Sequence, residues 1–372
     1  MKSFEYLTNS FWTRLKDGNI ASLNNYKNVE NVLFNEEYNI SDLLTLLSIT
    51  EDKHLDILLQ KSEAITRQRF GKKISIYAPL YISNYCNNQC VYCGFNKTVK
   101  TERINLSIEQ IVQEAKYLRN KGIRQLLIVS GEAVNSIDEY VKVASSLNHD
   151  FDFLAYEIEP LKISEYALLY NSGLDGVTIY QETYNEKLYS DYHPKGNKRD
   201  YRYRIETPER IAQANIPNIT IGALLGLSDY KEEMLFLAGH LDYLIKKYWN
   251  INFAISFPRI NTNNINFSAK YPVSDFDFVK IIASFRILFP DTPIYLSTRE
   301  SPSLRDHMIN YGVTNISAGS KTDPGGYALF KDKLEQFSTS DKRGIEEIID
   351  YMKKNNLRPV LKDWDKGYRI KR

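Results

Sequence analysis

At 372 residues, with 43% hydrophobic and 25% charged residues, the chain can bury one large α/β barrel or two ordinary domains, and its make-up is that of a soluble globular protein. A net charge of +2 gives no electrostatic case for nucleic acid or an anionic membrane surface. No apolar run approaches the ~20 residues of a membrane span, and the stretch Met1 to Arg14 lacks a signal-peptide core, so a cytoplasmic enzyme is expected.

Residues 1–72 read as a polar, mostly helical extension, with apolar residues at helical spacing over Ile40–Leu47 and His54–Ile65. From Ile74 the pattern changes to short β-rich runs alternating with amphipathic stretches. The runs are Ile74–Ile82, Gln125–Val129, Phe153–Ile158, Gly176–Tyr180, Asn218–Leu225, Asn252–Phe257, Pro293–Ser297 and Asn315–Ala318. Between them lie predicted helices over Ile108–Asn120, Ile137–Leu147, Glu165–Asn171, Pro208–Ala214, Glu232–Tyr248, Phe276–Leu288 and Ser303–Tyr311. Alternation of this kind implies parallel strands with right-handed crossovers, and eight such units close into a (β/α)8 TIM-type barrel over residues 73–322. An open doubly wound sheet is the competing architecture. A tail, 323–372, reads as a helix (Ile345–Asn355) plus a short extended segment (Arg358–Trp364) packed on the barrel.

All three cysteines fall between Cys86 and Cys93, immediately after the first predicted strand. An odd, tight cluster is a poor disulfide framework and favours a metal role in a reducing compartment. Three thiolates on one loop can ligate three irons of a [4Fe–4S] cubane, leaving the fourth iron open to an external ligand. The competing reading, a structural zinc site, would need a second pair of ligands, and the nearest histidines in sequence are His54 and His149.

The C-x3-C-x2-C spacing, with Tyr92 before the third cysteine, is the signature of radical S-adenosylmethionine (SAM) enzymes. Further stretches resemble the aromatic-amino-acid lyase branch of that superfamily: Val129-Ser130-Gly131-Glu132, Tyr180-Gln181-Glu182-Thr183-Tyr184, Ile205-Glu206-Thr207-Pro208, Ser256-Phe257-Pro258-Arg259, Ser297-Thr298-Arg299-Glu300 and Pro324-Gly325-Gly326-Tyr327. The resemblance runs from about residue 70 to Lys362-Asp363-Trp364-Asp365. It implies one [4Fe–4S] cluster on Cys86, Cys90 and Cys93, with SAM chelating the vacant iron and yielding a 5′-deoxyadenosyl radical. The protein then supplies position and exclusion of water. Among site residues the resemblance implies that Gly131 and Glu132 meet the SAM amino group. Glu159, Tyr180 and Glu182 are placed near the rest of the cofactor, Arg204 by its carboxylate and Phe95 by adenine. Gly131 and Glu132 also fit a turn and helix start, and the carboxylates fit a solvated rim.

Arg299, following the seventh strand, is the strongest substrate candidate, because a guanidinium fork binds a carboxylate bidentately. Ser317, from the eighth strand, is its expected second donor, and Ser256 and Arg259 are expected in the same pocket. A network of Arg299 with Glu300 or Arg305 is the structural alternative. His193 and Lys321 are read as structural or exposed. The reaction implied is cleavage of the Cα–Cβ bond of L-tyrosine to 2-iminoacetate and p-cresol, for the thiazole of thiamine. Implied partners are an electron donor such as flavodoxin or ferredoxin, and a thiazole synthase. Tryptophan as substrate is the nearest alternative. A relative that carries a second cluster on further cysteines, and sulfur insertion, which also needs a second cluster, are disfavoured because no cysteine follows Cys93. The role of residues 1–70 stays open, closure over the barrel mouth being one option.

Overall fold

The computed structural model describes residues 28–132, 135–260, 267–330 and 335–362. Residues 1–27 of the expected extension, and Asp363 onward in the expected tail, lie outside the described residues. Eight parallel strands form a closed ring: β1 (Lys73–Ser83), β2 (Gln125–Ser130), β3 (Phe153–Glu157), β4 (Gly176–Glu182), β5 (Asn218–Ala223), β6 (Asn252–Ser256), β7 (Ile294–Leu296) and β8 (Asn315–Ser317). Each pairs with the next, and β1 pairs with both β8 and β2, which closes the barrel. The open-sheet alternative is thereby excluded. Strands such as Gln-Leu-Leu-Ile-Val-Ser (β2) are apolar almost throughout because helices cover one face and the barrel interior the other.

The covering helices begin where side chains can cap them. Ser107 and Ser136 form capping boxes with Gln110 and Glu139, and their helices run over Ile108–Asn120 and Ile137–Leu147, as the apolar period predicts. Three short elements after β4 were not predicted: α-helices at Glu186–Tyr192 and Tyr201–Ile205, and a 3-10 turn at Asn197–Arg199. The five-residue and three-residue elements are too short to show a helical period.

A ninth strand, β9 (Arg358–Val360), pairs with Lys73–Ser75, the part of β1 that precedes its pairing with β2 at Ala78. The tail therefore fastens to the amino end of the barrel. Before reaching it, the chain crosses the opposite end. Residues 335–341 lie over the mouth, where the Gly94 amide donates to the Gln336 carbonyl (3.2 Å) and the Ser340 and Asp341 amides donate to the Thr298 carbonyl (2.8 and 3.1 Å). Ion pairs from Arg305 to Asp341 and from Arg343 to Asp306 (2.9 Å) anchor this strap to the helix Pro302–Met308.

The helices Ile40–Leu47 and Asp52–Phe70 lie on the outside of the barrel, packed on the helix Asp275–Leu288. Lys280 of that helix donates to the carbonyls of Leu47 (3.0 Å) and Ile49 (2.9 Å), satisfying the end of the outer helix. The described part of the extension thus covers a flank of the barrel and does not close over its mouth.

Candidate active site at the barrel mouth

A cavity opens at the carboxyl ends of the strands, where (β/α)8 barrels carry their chemistry. It is lined by Cys86, Cys90 and Cys93 and by residues from the ends of β2, β3 and β4 and the loop after β7, with the space in and above it totalling about 940 Å³.

The cysteine loop is held in shape from three sides. Arg103 donates to the carbonyls of Asn84 (2.5 Å), Phe95 (3.0 Å), Asn96 (2.7 Å) and Val99 (3.1 Å), knotting the two arms of the loop. The segment after β4 backs it, with the Gln89 and Val91 amides donating to the Lys195 and Tyr192 carbonyls. From β2, Gly131 approaches so closely that a Cβ there would sit 1.7 Å from the Tyr85 carbonyl oxygen. Glycine is needed at 131, but the close approach is to the cysteine loop itself. Its own carbonyl accepts from the Ser130 hydroxyl (3.0 Å).

Asn88 ties this loop to the charged wall. Its side-chain amide donates to Glu132 (2.7 Å) and points at the Cys86 sulfur (3.6 Å), and its carbonyl accepts from the Lys198 amide (2.9 Å). Gly196 permits this twice over: its φ is +99°, and a Cβ would lie 2.2 Å from the Asn88 oxygen. Glu132 then accepts from Arg204 (3.0 Å), which also donates to the Tyr180 carbonyl (2.7 Å) and reaches Glu182 (3.5 Å). Lys198 closes the network with a 2.6 Å ion pair to Glu182.

Glu182 is aimed inward by a register shift between Tyr180 and Glu182 in the β4–β5 pairing and has φ +71°, left-handed backbone in a residue that disfavours it. Burial opposes ionisation of Glu182, but Lys198 and Arg204 outweigh it and hold the carboxyl below its usual range. Burying ion pairs is a poor way to stabilise a fold, so three buried charges and a partly buried lysine at a cavity wall point to a ligand.

Three carboxylates (Glu132, Glu157, Glu182) and three cations (Lys198, Arg204, Arg299) line the cavity. Arg299 sits across from the Glu132 wall, with its guanidinium 3.3 Å from the centre of the Phe337 ring and one nitrogen 3.4 Å from the Arg259 carbonyl. Tyr92 is fixed by His193. The ring Nδ1 donates to the Tyr189 carbonyl (2.7 Å), which leaves Nε2 to accept from the Tyr92 hydroxyl (2.7 Å). Burial pushes the His193 imidazole down to about 3, so it stays neutral.

Of the residues singled out in the sequence, the cavity brings together Cys86, Cys90, Cys93, Tyr92, Gly131, Glu132, Tyr180, Glu182, Arg204 and Arg299. Others are engaged elsewhere. Phe95 is buried edge-on to Tyr81 (5.9 Å), packing the loop onto β1. Glu159 accepts from Tyr140 of the neighbouring helix (2.9 Å). Arg259 pairs with Glu300 and with Asp275 (2.8 Å), so the link to Glu300 that was the structural alternative for Arg299 is made by Arg259. Ser256 is buried and faces Tyr180. The Ser317 hydroxyl accepts from the Thr298 amide (3.1 Å), which makes it a support for the Arg299 turn and not part of the cavity wall.

Sequence reasoning missed Glu157, Lys198, Asn88, Gln336 and Phe337. Glu157 carried a usable signal, since it is the last residue of β3, on the catalytic rim. Gln336 and Phe337 carried none, because only the strap brings them to the mouth.

The donor set fits an iron–sulfur cluster. Burial pushes the Cys90 thiol up, and the Cys93 thiol up to about 11, so thiolates here require adjacent positive charge such as iron. Side-chain amides of Asn88 and Gln336 point at Cys86 and Cys93 (3.6 and 3.9 Å), the kind of contact that tunes such clusters.

Comparison with known proteins agrees. Residues 80–238 match the family model of the radical SAM superfamily, and residues 256–358 match that of the biotin and thiamin synthesis associated domain. The chain is 40% identical over 340 residues to the 2-iminoacetate synthases of Salmonella typhimurium and of Escherichia coli, covering 91% of this chain and 90% of each relative. It belongs to the 2-iminoacetate synthase family. The fold of this family member also superposes on the FeFe-hydrogenase maturase HydG from Carboxydothermus hydrogenoformans, with a TM-score of 0.82 and 31% identity over 96% of this chain and 82% of that one. As a radical SAM enzyme, this 2-iminoacetate synthase relative works with a [4Fe–4S] cluster and SAM, and the zinc reading is set aside.

Proposed function

We propose that the chain cleaves the Cα–Cβ bond of L-tyrosine, giving 2-iminoacetate and p-cresol, with SAM converted to methionine and 5′-deoxyadenosine. The observation that carries this reading is the 40% identity to 2-iminoacetate synthases across nine tenths of the chain. Cys86, Cys90 and Cys93 would hold the cluster, and the wall of Glu132, Glu182, Lys198 and Arg204 would hold SAM. Bound together, cluster and SAM supply one-electron, hydrogen-abstracting chemistry.

The chain's own residues do the positioning. Arg299 takes the tyrosine carboxylate in a charge-assisted fork, and Phe337 stacks on the guanidinium and keeps it from swinging out. Ser317 fixes the turn that carries Arg299 by accepting from the Thr298 amide. The strap over the mouth limits access of water, as a reactive intermediate requires. The reading includes a cytoplasmic setting, where thiols stay reduced, an electron donor such as flavodoxin or ferredoxin, and a thiazole synthase that consumes the imine.

Anaerobic reconstitution with iron and sulfide, followed by SAM, a reductant and tyrosine, tests it. Release of p-cresol together with 5′-deoxyadenosine is expected. Formation of an indole product from tryptophan, with no p-cresol from tyrosine, would replace the substrate assignment.

A further inference from the structure

We propose that Glu157 is the base that takes a proton from the ammonium group of the bound amino acid, leaving a neutral amine for hydrogen abstraction. The inference rests on the tyrosine reading above and deepens it.

Among the three carboxylates of the cavity, Glu132 and Glu182 are already engaged, by Asn88 and Arg204 and by Lys198 and Arg204. The Glu157 side chain takes no hydrogen bond or ion pair among the described residues, although it ends β3 at the barrel mouth, is half-buried and lines the cavity. An amino acid presents a carboxylate and an ammonium on adjacent atoms. The cavity offers one cation without a carboxylate partner among the described residues, Arg299, and one carboxylate without a cation partner, Glu157. The match is to a zwitterion, with Arg299 on the carboxylate and Glu157 on the nitrogen.

The charged and titratable surroundings suit proton uptake. Burial, helped by Glu182, pushes the Glu157 carboxyl up, while Arg299, Lys198 and Arg204 draw it down, leaving it at about 7. The neighbouring phenols of Tyr77, Tyr81 and Tyr180 are all pushed above their usual range and stay protonated, so they do not compete as bases. A carboxyl near 7 is ionised often enough at working pH to accept a proton and is basic enough to keep it. In the step itself one N–H bond breaks, the proton bonds to a Glu157 carboxylate oxygen, and the electron pair stays on nitrogen. No oxidant or reductant is involved.

The test uses the reconstituted holoenzyme and its Glu157→Gln and Glu157→Asp variants, reading iron content, 5′-deoxyadenosine and p-cresol between pH 6 and about pH 9.5. For the wild type, p-cresol formed per 5′-deoxyadenosine should rise as pH passes about 7 and then level, because the base works only when ionised. Glu157→Gln should retain iron and uncoupled 5′-deoxyadenosine formation but lose about 100-fold in p-cresol at pH 7. It should recover progressively as pH rises past about 9, where the ammonium of a free amino acid begins to lose its proton unaided. Glu157→Asp should fall between. Wild-type p-cresol from Glu157→Gln at pH 7 would overturn the assignment, as would a loss that persists unchanged at high pH. If the wild type itself forms 5′-deoxyadenosine but no p-cresol at any pH, the tyrosine reading fails and this proposal with it.

Discussion

Arg299, proposed for the substrate carboxylate, is held in place by its neighbours. Its backbone turn is fixed by Ser317, its guanidinium lies on Phe337, and no carboxylate among the described residues neutralises it, whereas the nearby Arg259 is neutralised twice. An unneutralised, positioned guanidinium in a cavity is poised for an anion. Arg299→Ala should therefore leave iron content and uncoupled 5′-deoxyadenosine formation intact while lowering kcat/KM for p-cresol at least about 30-fold, since truncating one partner of a buried charge pair costs about 2–5 kcal/mol. Measuring all three on the same preparation separates a lost anchor from a lost cluster. Unchanged p-cresol kinetics would remove Arg299 from the carboxylate role.

At the scale of elements, the sequence was most readable where a periodic pattern meets an ordinary environment. All eight barrel strands begin within one residue of the expected position, because runs such as Gly-Val-Thr-Ile-Tyr have no helical period and are buried on both faces. The cysteine loop was legible from spacing alone. What stayed hidden was whatever depends on one loop meeting another. Asn88 is only a polar loop residue until Gly196 lets the chain after β4 come within reach of it, and Phe337 is only a tail aromatic until the strap crosses the mouth. Arg259 and Arg299 were likewise expected in one pocket, Arg299 as the stronger candidate, and the placement of Glu300 and Asp275 draws Arg259 away from it. The contact between β2 and the cysteine loop is the tightest of these meetings. Gly131→Ala would force a Cβ to within 1.7 Å of a backbone oxygen that cannot rotate away, so the loop must shift. Iron content and visible absorbance after reconstitution should fall sharply in that variant, with p-cresol falling in proportion. Full iron loading would show that the loop tolerates displacement.

Across the whole molecule, catalysis and stability are assigned to opposite faces. The mouth gathers the cysteine loop, the charged wall and the strap, while β9 pairs with the start of β1 at the amino end and the helices Ile40–Leu47 and Asp52–Phe70 cover one flank. That flank is well packed. Leu43, Leu46, Leu47 and Leu58 are fully buried, and Lys280 is committed to the carbonyls of Leu47 and Ile49. None of these residues lines the cavity. Deleting buried methyl groups here should therefore weaken the fold without altering the chemistry. Leu47→Ala should cost about 2–5 kcal/mol of stability through lost apolar contact and the cavity left behind. Its thermal midpoint should drop, while p-cresol formed per iron-loaded chain at 25 °C stays at the wild-type level. A fall in turnover per cluster, with the midpoint unchanged, would mean instead that the outer helices shape the mouth from a distance, and the division between the two faces would not hold.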